Sequence, residues 1–260
     1  MLSYTENMPD SSFISVRDLK KTYGDIQAVK GISFNVKLGE VFGILGPNGA
    51  GKTTTLEMME GLRDITAGSV SIDGIDVASN VERIKEIIGV QPQNSAFLDE
   101  SRLGELLVAF ASMYGGKADV MGLLGKVGLE AKVKAYPEQL SGGQRQRFSI
   151  AVALVHKPKV LFLDEPTTGL DPQARRNLWD LVKAIRDEGV TVILTTHYME
   201  EAQVLCDRVA IMDDGKIIAL AAPKKLVEDL LERGFKPHVE VQAATLEDVF
   251  IDLTGRDLRE

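Results

Sequence analysis

The sequence has a single cysteine, Cys206, so no intrachain disulfide can staple the fold. Cys206 lies in a helical-looking stretch and reads as a small packing residue. Long apolar runs are also missing. Stretches such as Val41–Leu45 and Ile150–Val155 fall far short of the ~18–20 residues a membrane-spanning helix needs. The opening MLSYTENMPD carries neither the basic flank nor the apolar run of a signal peptide. There is no basic excess: 30 Lys and Arg stand against 38 Asp and Glu, a formal net charge of -8. That balance argues against a nucleic-acid partner. Short-period repeats and low-complexity segments are absent too. These absences lead us to expect a soluble, cytoplasmic protein that reaches a membrane only through a partner.

What is present is enough apolar material for a sizeable core, 44% of the 260 residues. Residues 1–12 read as a loose leader. From Phe13 to Val41 the pattern is strand-like, with turns at Tyr23-Gly24-Asp25 and Leu38-Gly39. Val41–Leu45 is a short apolar strand ending in a glycine-rich loop, and a helix follows from Lys52 to near Gly61. Residues 95–157 carry little strand signal and predict helices around Leu103–Tyr114, Ala118–Val127 and Gly142–His156. Two buried-type strands, Val160–Leu163 and Val190–Thr195, flank a helix over Pro172–Glu188. Arg208–Leu220 reads as a hairpin turning at Asp213-Asp214-Gly215-Lys216. The tail from Pro223 predicts a helix, a strand at His238–Gln242 and a final short helix. Alternation of strands and helices implies an α/β fold with a mostly parallel sheet, an N-terminal antiparallel part and an inserted helical subdomain.

Three stretches carry chemistry. Gly46-Pro47-Asn48-Gly49-Ala50-Gly51-Lys52-Thr53 fits GxxxxGK[ST] between a strand and a helix. Its glycines allow the backbone to wrap phosphates, and free N–H groups at the helix start attract anions. Lys52 would reach the β- and γ-phosphates of a nucleotide, Thr53 would offer its hydroxyl to Mg²⁺, and Thr54 follows on the same turn. Val160-Leu-Phe-Leu-Asp-Glu165 is an apolar strand ending in two carboxylates, where α/β ligands sit. Asp164 would hold Mg²⁺, and Glu165 would polarise an attacking water as general base.

Leu140-Ser141-Gly142-Gly143-Gln144 is the third. A Ser-Gly-Gly opening a helix offers backbone N–H groups and a hydroxyl to a second anion. A head-to-tail dimer explains two phosphate sites in one chain, each nucleotide lying between one loop of either kind.

With that pentapeptide the chain resembles the ABC ATPase family, from about Phe13 to Leu220. The resemblance implies a P-loop NTPase domain over 13–222, with a helical subdomain over about 95–157, and a tail, 223–260, packing on the core. It matches Tyr23 to the aromatic that stacks on adenine. Gln93, rather than Gln91, matches the glutamine that senses Mg²⁺ and the attacking water. Thr168-Gly-Leu-Asp171 resembles the D-loop, with Thr-Gly where a small Ser-Ala pair is commoner. His197 matches the switch histidine at the γ-phosphate, whereas His156 and His238 match nothing.

The implied function is ATP binding and hydrolysis with Mg²⁺, at the cytoplasmic face of a membrane. Two such subunits, sufficient as a homodimer, would close on ATP and drive a separate permease. Its coupling helix would dock near Gln93–Asp99 and the run before Leu140. TTHYMEEA and the tail TLEDVFIDLTGRDLRE resemble the drug-exporter, daunorubicin-resistance branch. The tail is also readable as a packing helix with Leu246, Val249, Phe250 and Leu253 on one stripe.

Two alternatives belong to other classes. A non-transport ABC ATPase of the DNA-repair kind would need a coiled coil between Gln93 and Leu140, and no heptad run occurs there. A regulatory nucleotide sensor would not need Glu165 and His197. A GTPase is disfavoured by the lack of an N-K-x-D guanine-reading motif.

Overall fold

The computed structural model describes residues 12–93, 97 and 100–235. The chain divides into one compact unit reaching Leu226 and a second beginning at Val227. Residues 1–11 of the expected leader, the strand expected at His238–Gln242 and the final helix lie outside the described residues. So does most of the expected docking run after Gln93.

Strands β1 (Ile14–Tyr23) and β2 (Ile26–Val36) form an antiparallel hairpin. Strand β3 (Val41–Leu45) follows, then the glycine-rich loop and helix α1 (Lys52–Met59). Next come β4 (Ala67–Ile72), β5 (Ile75–Asp76), α2 (Val81–Lys85) and β6 (Ile88–Gln91). Helices α3 (Leu103–Met113), α4 (Val120–Lys126) and α5 (Gly142–Ala153) form the inserted helical block. The chain then returns through β7 (Val160–Asp164), α6 (Pro172–Asp187), β8 (Thr191–Thr196) and α7 (Met199–Leu205). Strands β9 (Arg208–Asp213) and β10 (Lys216–Ala221) make a hairpin, and α8 (Pro223–Glu232) follows.

Four strands form an antiparallel sheet in the order β2-β1-β4-β5. Six form a second sheet, β10-β9-β3-β8-β7-β6, parallel except at the β9–β10 hairpin. That hairpin turns through Asp214 (φ 45°) and Gly215 (φ 73°), the pair of positive φ values that matches the twist of its flanking strands.

The apolar runs VFGIL of β3, VLFL of β7 and VIL at the centre of β8 follow from coverage on both faces. Alternate residues point opposite ways along a strand. Val41, Leu161, Leu163 and Leu194 therefore pack with residues of α3, α5 and α6. Phe42, Ile44, Phe162 and Ile193 pack with α1 and the antiparallel sheet. Each such fully buried side chain contributes about 1.5–3 kcal/mol relative to exposure. Close approach requires glycine at position 43, where a Cβ would lie 2.7 Å from Cys206 Sγ. Cys206 is a buried free thiol, and burial pushes it well above the usual thiol range.

Register places the functional loops. Leu45 pairs with Thr196, Asp164 with Thr195, and Gln91 with Leu163. Strands β3, β8, β7 and β6 therefore release their C-terminal loops along one edge, where α/β ligands bind.

Candidate active site

At that edge the Gly46–Thr53 loop opens α1. Gly46 admits no side chain, since a Cβ would sit 2.2 Å from the Met212 carbonyl oxygen. Gly49 and Gly51 hold φ values of 83° and 97°, and a Cβ on Gly51 would meet Ala28 O at 2.6 Å. The sharp turn and the tight seat are why glycines stand there. Gly51 is the N-cap of α1 and makes no side-chain cap bond, so the first N–H groups of the helix lack an intrahelical partner.

Lys52 is buried. Its Nζ donates to Pro47 O at 3.2 Å and lies 3.3 Å from Glu165 Oε1. Thr53 Oγ1 donates to Asp164 Oδ1 at 3.3 Å, and Thr195 Oγ1 donates to the same oxygen. Burial lifts the Asp164 carboxyl above its ordinary value, against the pull of Thr195 and Thr53.

Glu165 follows β7 with φ 46°, a left-handed conformation disfavoured for a non-glycine residue. Its N–H donates to Thr195 O at 3.2 Å and to Thr195 Oγ1 at 3.0 Å. Three side chains meet its Oε2. Gln93 Nε2 and Thr168 Oγ1 each donate at 3.3 Å, and His197 Nδ1 lies 3.2 Å away without hydrogen-bond alignment. Burial alone would raise this carboxyl. The Lys52 ammonium, then His197, outweigh burial and hold it below the usual carboxylate range.

Asn48, Gly49, Gly51, Lys52, Gln93, Glu165 and His197 share the walls of one cavity of about 720 Å³. Gln91, two residues before Gln93, is buried in β6 and bonds to Pro92 O and Gln146 instead.

Other predicted residues stand apart. Ser141 caps α5 away from the cavity, its Oγ accepting from Gln144 N at 3.3 Å while Gln144 Oε1 accepts from Ser141 N at 3.1 Å. This is a reciprocal capping box on exposed backbone. Gly142 has open space at its Cβ position, whereas a Cβ on Gly143 would meet Ala174 Cβ at 2.8 Å. Asp171 caps α6, accepting from Ala174 N at 2.8 Å. Tyr23 ends β1 with 39% exposure, flanked by the Lys21 ammonium at 5.2 Å and the Arg63 guanidinium at 5.4 Å from its ring centroid. His156 stacks on Tyr114 and bonds to Ile88 O, and His238 lies outside the described residues.

Sequence reasoning passed over Thr195 and did not place Thr168 at the Glu165 carboxylate. The signal for Thr195 was a polar residue at the end of an apolar strand. It also passed over Glu60, buried at the end of α1 and pushed up to about 8 by burial, with Asp164 and Glu57 adding to the shift.

A divalent cation fits the donor set. Asp164 Oδ1 and Thr53 Oγ1 are two hard oxygens side by side, and no cluster of three His, Cys, Asp or Glu occurs among the described residues. A cation with two protein donors takes its remaining ligands from phosphate and water, as Mg²⁺ does.

A glycine-rich loop between β3 and α1, beside two carboxylates at the end of β7, defines a P-loop NTPase. The chain belongs to the ABC transporter family, whose model matches residues 29–168. It is 38% identical to the Nod factor export ATP-binding protein I of Burkholderia orbicola (strain AU 1054), over 95% of this chain and 98% of that protein. It is 41% identical to the linearmycin resistance ATP-binding protein LnrL of Bacillus subtilis (strain 168), over 92% of this chain and 77% of that one. A solved dimeric ATP-binding cassette, in a post-hydrolysis state bound to ADP and Pi, superimposes with a TM-score of 0.72 at 28% identity. That match covers 81% of this chain and 98% of the other.

Proposed function

We propose that this chain is the ATP-hydrolysing subunit of an exporter, driving a separate membrane permease through ATP-dependent dimerisation. One observation carries the reading. Lys52, Gln93, Thr168 and His197 converge on Glu165 in one cavity, while the Ser141 loop lies away from it. Residues 13–222 make up the ATPase domain in this reading.

The triphosphate enters the Gly46–Thr53 cradle, where the α1 N–H groups and Lys52 meet its charge. Tyr23 offers the stacking face for adenine. Asp164 and Thr53 would hold Mg²⁺, which would supply positive charge against the phosphates. Lys52 is the pivot. While its ammonium lies on Glu165 it weakens that carboxylate as a base, because a lower pKa means lower basicity. The ATP phosphates draw the same ammonium away. Glu165 then recovers basicity as the attacking water arrives, with Gln93 orienting that water and His197 facing the γ-phosphate.

Ser141, Gly142, Gly143 and Gln144 complete the site from a second copy, with Asp171 near the joint. Neither half holds the full set of charge-stabilising donors, so turnover requires the dimer. Export is supported by the names of the relatives. A separate permease is supported by the lack, among the described residues, of any helix long and apolar enough to cross a membrane. The placement is the cytoplasmic face, where ATP is available.

Capture of the protein from mildly solubilised native membranes tests this reading. A multi-spanning membrane protein in stoichiometric amount is the expected companion. A soluble or nucleic-acid companion without one contradicts it.

A further inference from the structure

A second buried glutamate near the site has no task in the reaction above. Glu201, the third residue of α7, is 0% exposed. Trp179 Nε1, on α6, donates to its Oε1 at 3.2 Å. The Thr196 and Thr167 hydroxyls and the Arg175 charge also act on this carboxyl, pulling against the burial that lifts it. Among the described residues, Glu201 Oε2, Thr167 Oγ1 and Arg175 Nε are buried without a hydrogen bond of good geometry. An unsatisfied buried polar atom destabilises the fold. An apolar side chain of similar volume would serve packing better.

Three of these neighbours, Thr196, Thr167 and Arg175, connect to residues of the site. Thr196 directly precedes His197, and its Oγ1 accepts from the Tyr198 N–H at 3.0 Å. Thr167 directly precedes Thr168, whose hydroxyl donates to Glu165. The Arg175 guanidinium lies 4.6 Å from the centroid of the Tyr198 ring, and that ring lies 4.2 Å from the His197 ring. Trp179 and Arg175 stand on α6, the helix that Asp171 caps.

We propose that Glu201 is a positioning residue that fixes His197 and Thr168 against Glu165 and couples both loops to α6. The inference rests on the reading of Glu165 and His197 given above. It predicts that the histidine loop and the loop after Glu165 shift together with α6.

A double-mutant cycle on the full chain tests it, read as single-turnover MgATP hydrolysis with nucleotide affinity measured in parallel. Glu201→Ala is expected to lower the rate about tenfold or more, with ATP affinity held within about twofold. Glu201→Gln keeps an acceptor for Trp179 and should recover most of the rate. In the Glu201→Ala, His197→Ala double variant the combined loss should fall well short of the product of the two single losses, because part of the Glu201 effect runs through His197. Losses that multiply overturn the inference while leaving the role of His197 standing. Loss of affinity at an unchanged rate overturns it as well. A wild-type rate in His197→Ala overturns the functional reading, and this inference with it. If Glu201→Ala does not fold, Thr167→Val and Thr196→Val in the same cycle decide by the same outcomes.

Discussion

Lys52 Nζ and Glu165 Oε1 lie 3.3 Å apart with both side chains almost wholly buried. The cation proposed to meet the nucleotide is thus the one that holds down the carboxylate proposed as general base. Removing either partner of a buried pair should have separable consequences.

Lys52→Ala is expected to lower nucleotide affinity at least about tenfold, because a charge-assisted contact to phosphate is lost. It should also raise the Glu165 carboxyl, which loses its largest acid-strengthening neighbour. Titration with a fluorescent ATP analogue checks the first effect. Unchanged affinity contradicts the phosphate role of the loop.

Glu165→Gln is expected to keep ATP affinity and lose turnover by about a hundredfold or more, the scale of a missing general base. The variant should accumulate as a dimer with MgATP, visible by size-exclusion chromatography. Undiminished turnover removes Glu165 from the role of base.

Stability should respond to pH in opposite directions at two carboxylates. Glu165 is held below its ordinary value, so its contribution is present above the unfolded carboxylate range and lost as pH falls through its folded value. Glu60 is raised from 4.5 to about 8, so its contribution is present at low pH and lost as pH rises through that window. Glu60→Gln should therefore flatten the decline between acid and neutral pH, an effect on the order of 3 kcal/mol by pH 7. Urea denaturation at pH 5 and pH 8 measures it, and identical slopes in both proteins contradict the buried, protonated state of Glu60.

Two glycines in the loop should differ on replacement by alanine. Gly51→Ala meets both a positive φ and a carbonyl 2.6 Å from the new Cβ, and should destabilise by about 1–3 kcal/mol. Gly49→Ala meets a positive φ in open space and should cost about 1 kcal/mol. Thermal denaturation ranks them, and equal losses contradict the close seat of Gly51 beneath Ala28.

Much of this was legible from residues alone. The loop at Gly46–Thr53 between a strand and a helix, the apolar strand running into Asp164 and Glu165, and the helix opening at Ser141-Gly142-Gly143 are local patterns set by neighbours in sequence. The helices of the insert appeared within a few residues of where they were expected, although α5 ends at Ala153, before His156. Strands β4, β5 and β6 escaped: β5 is two residues long and only pairs with its neighbour β4, whereas β4 and β6 are set by partners remote in sequence, Ile88–Gln91 being a strand through its pairing with Val160–Leu163. Glu60 and Glu201 escaped for a different reason. A glutamate reads as a solvated face unless the fold buries it, and burial is a tertiary fact.

In the proposed reading one catalytic site is built from two copies of this chain. Mixing Lys52→Ala with Ser141→Arg tests it most directly, since each variant alone should be inactive. In a mixed dimer one site joins an intact Lys52 loop to an intact Ser141 loop. An equimolar mixture should recover ATPase activity, up to about a quarter of wild type for random pairing of two-site dimers. A mixture as inactive as its components, although mixed dimers form, would contradict it.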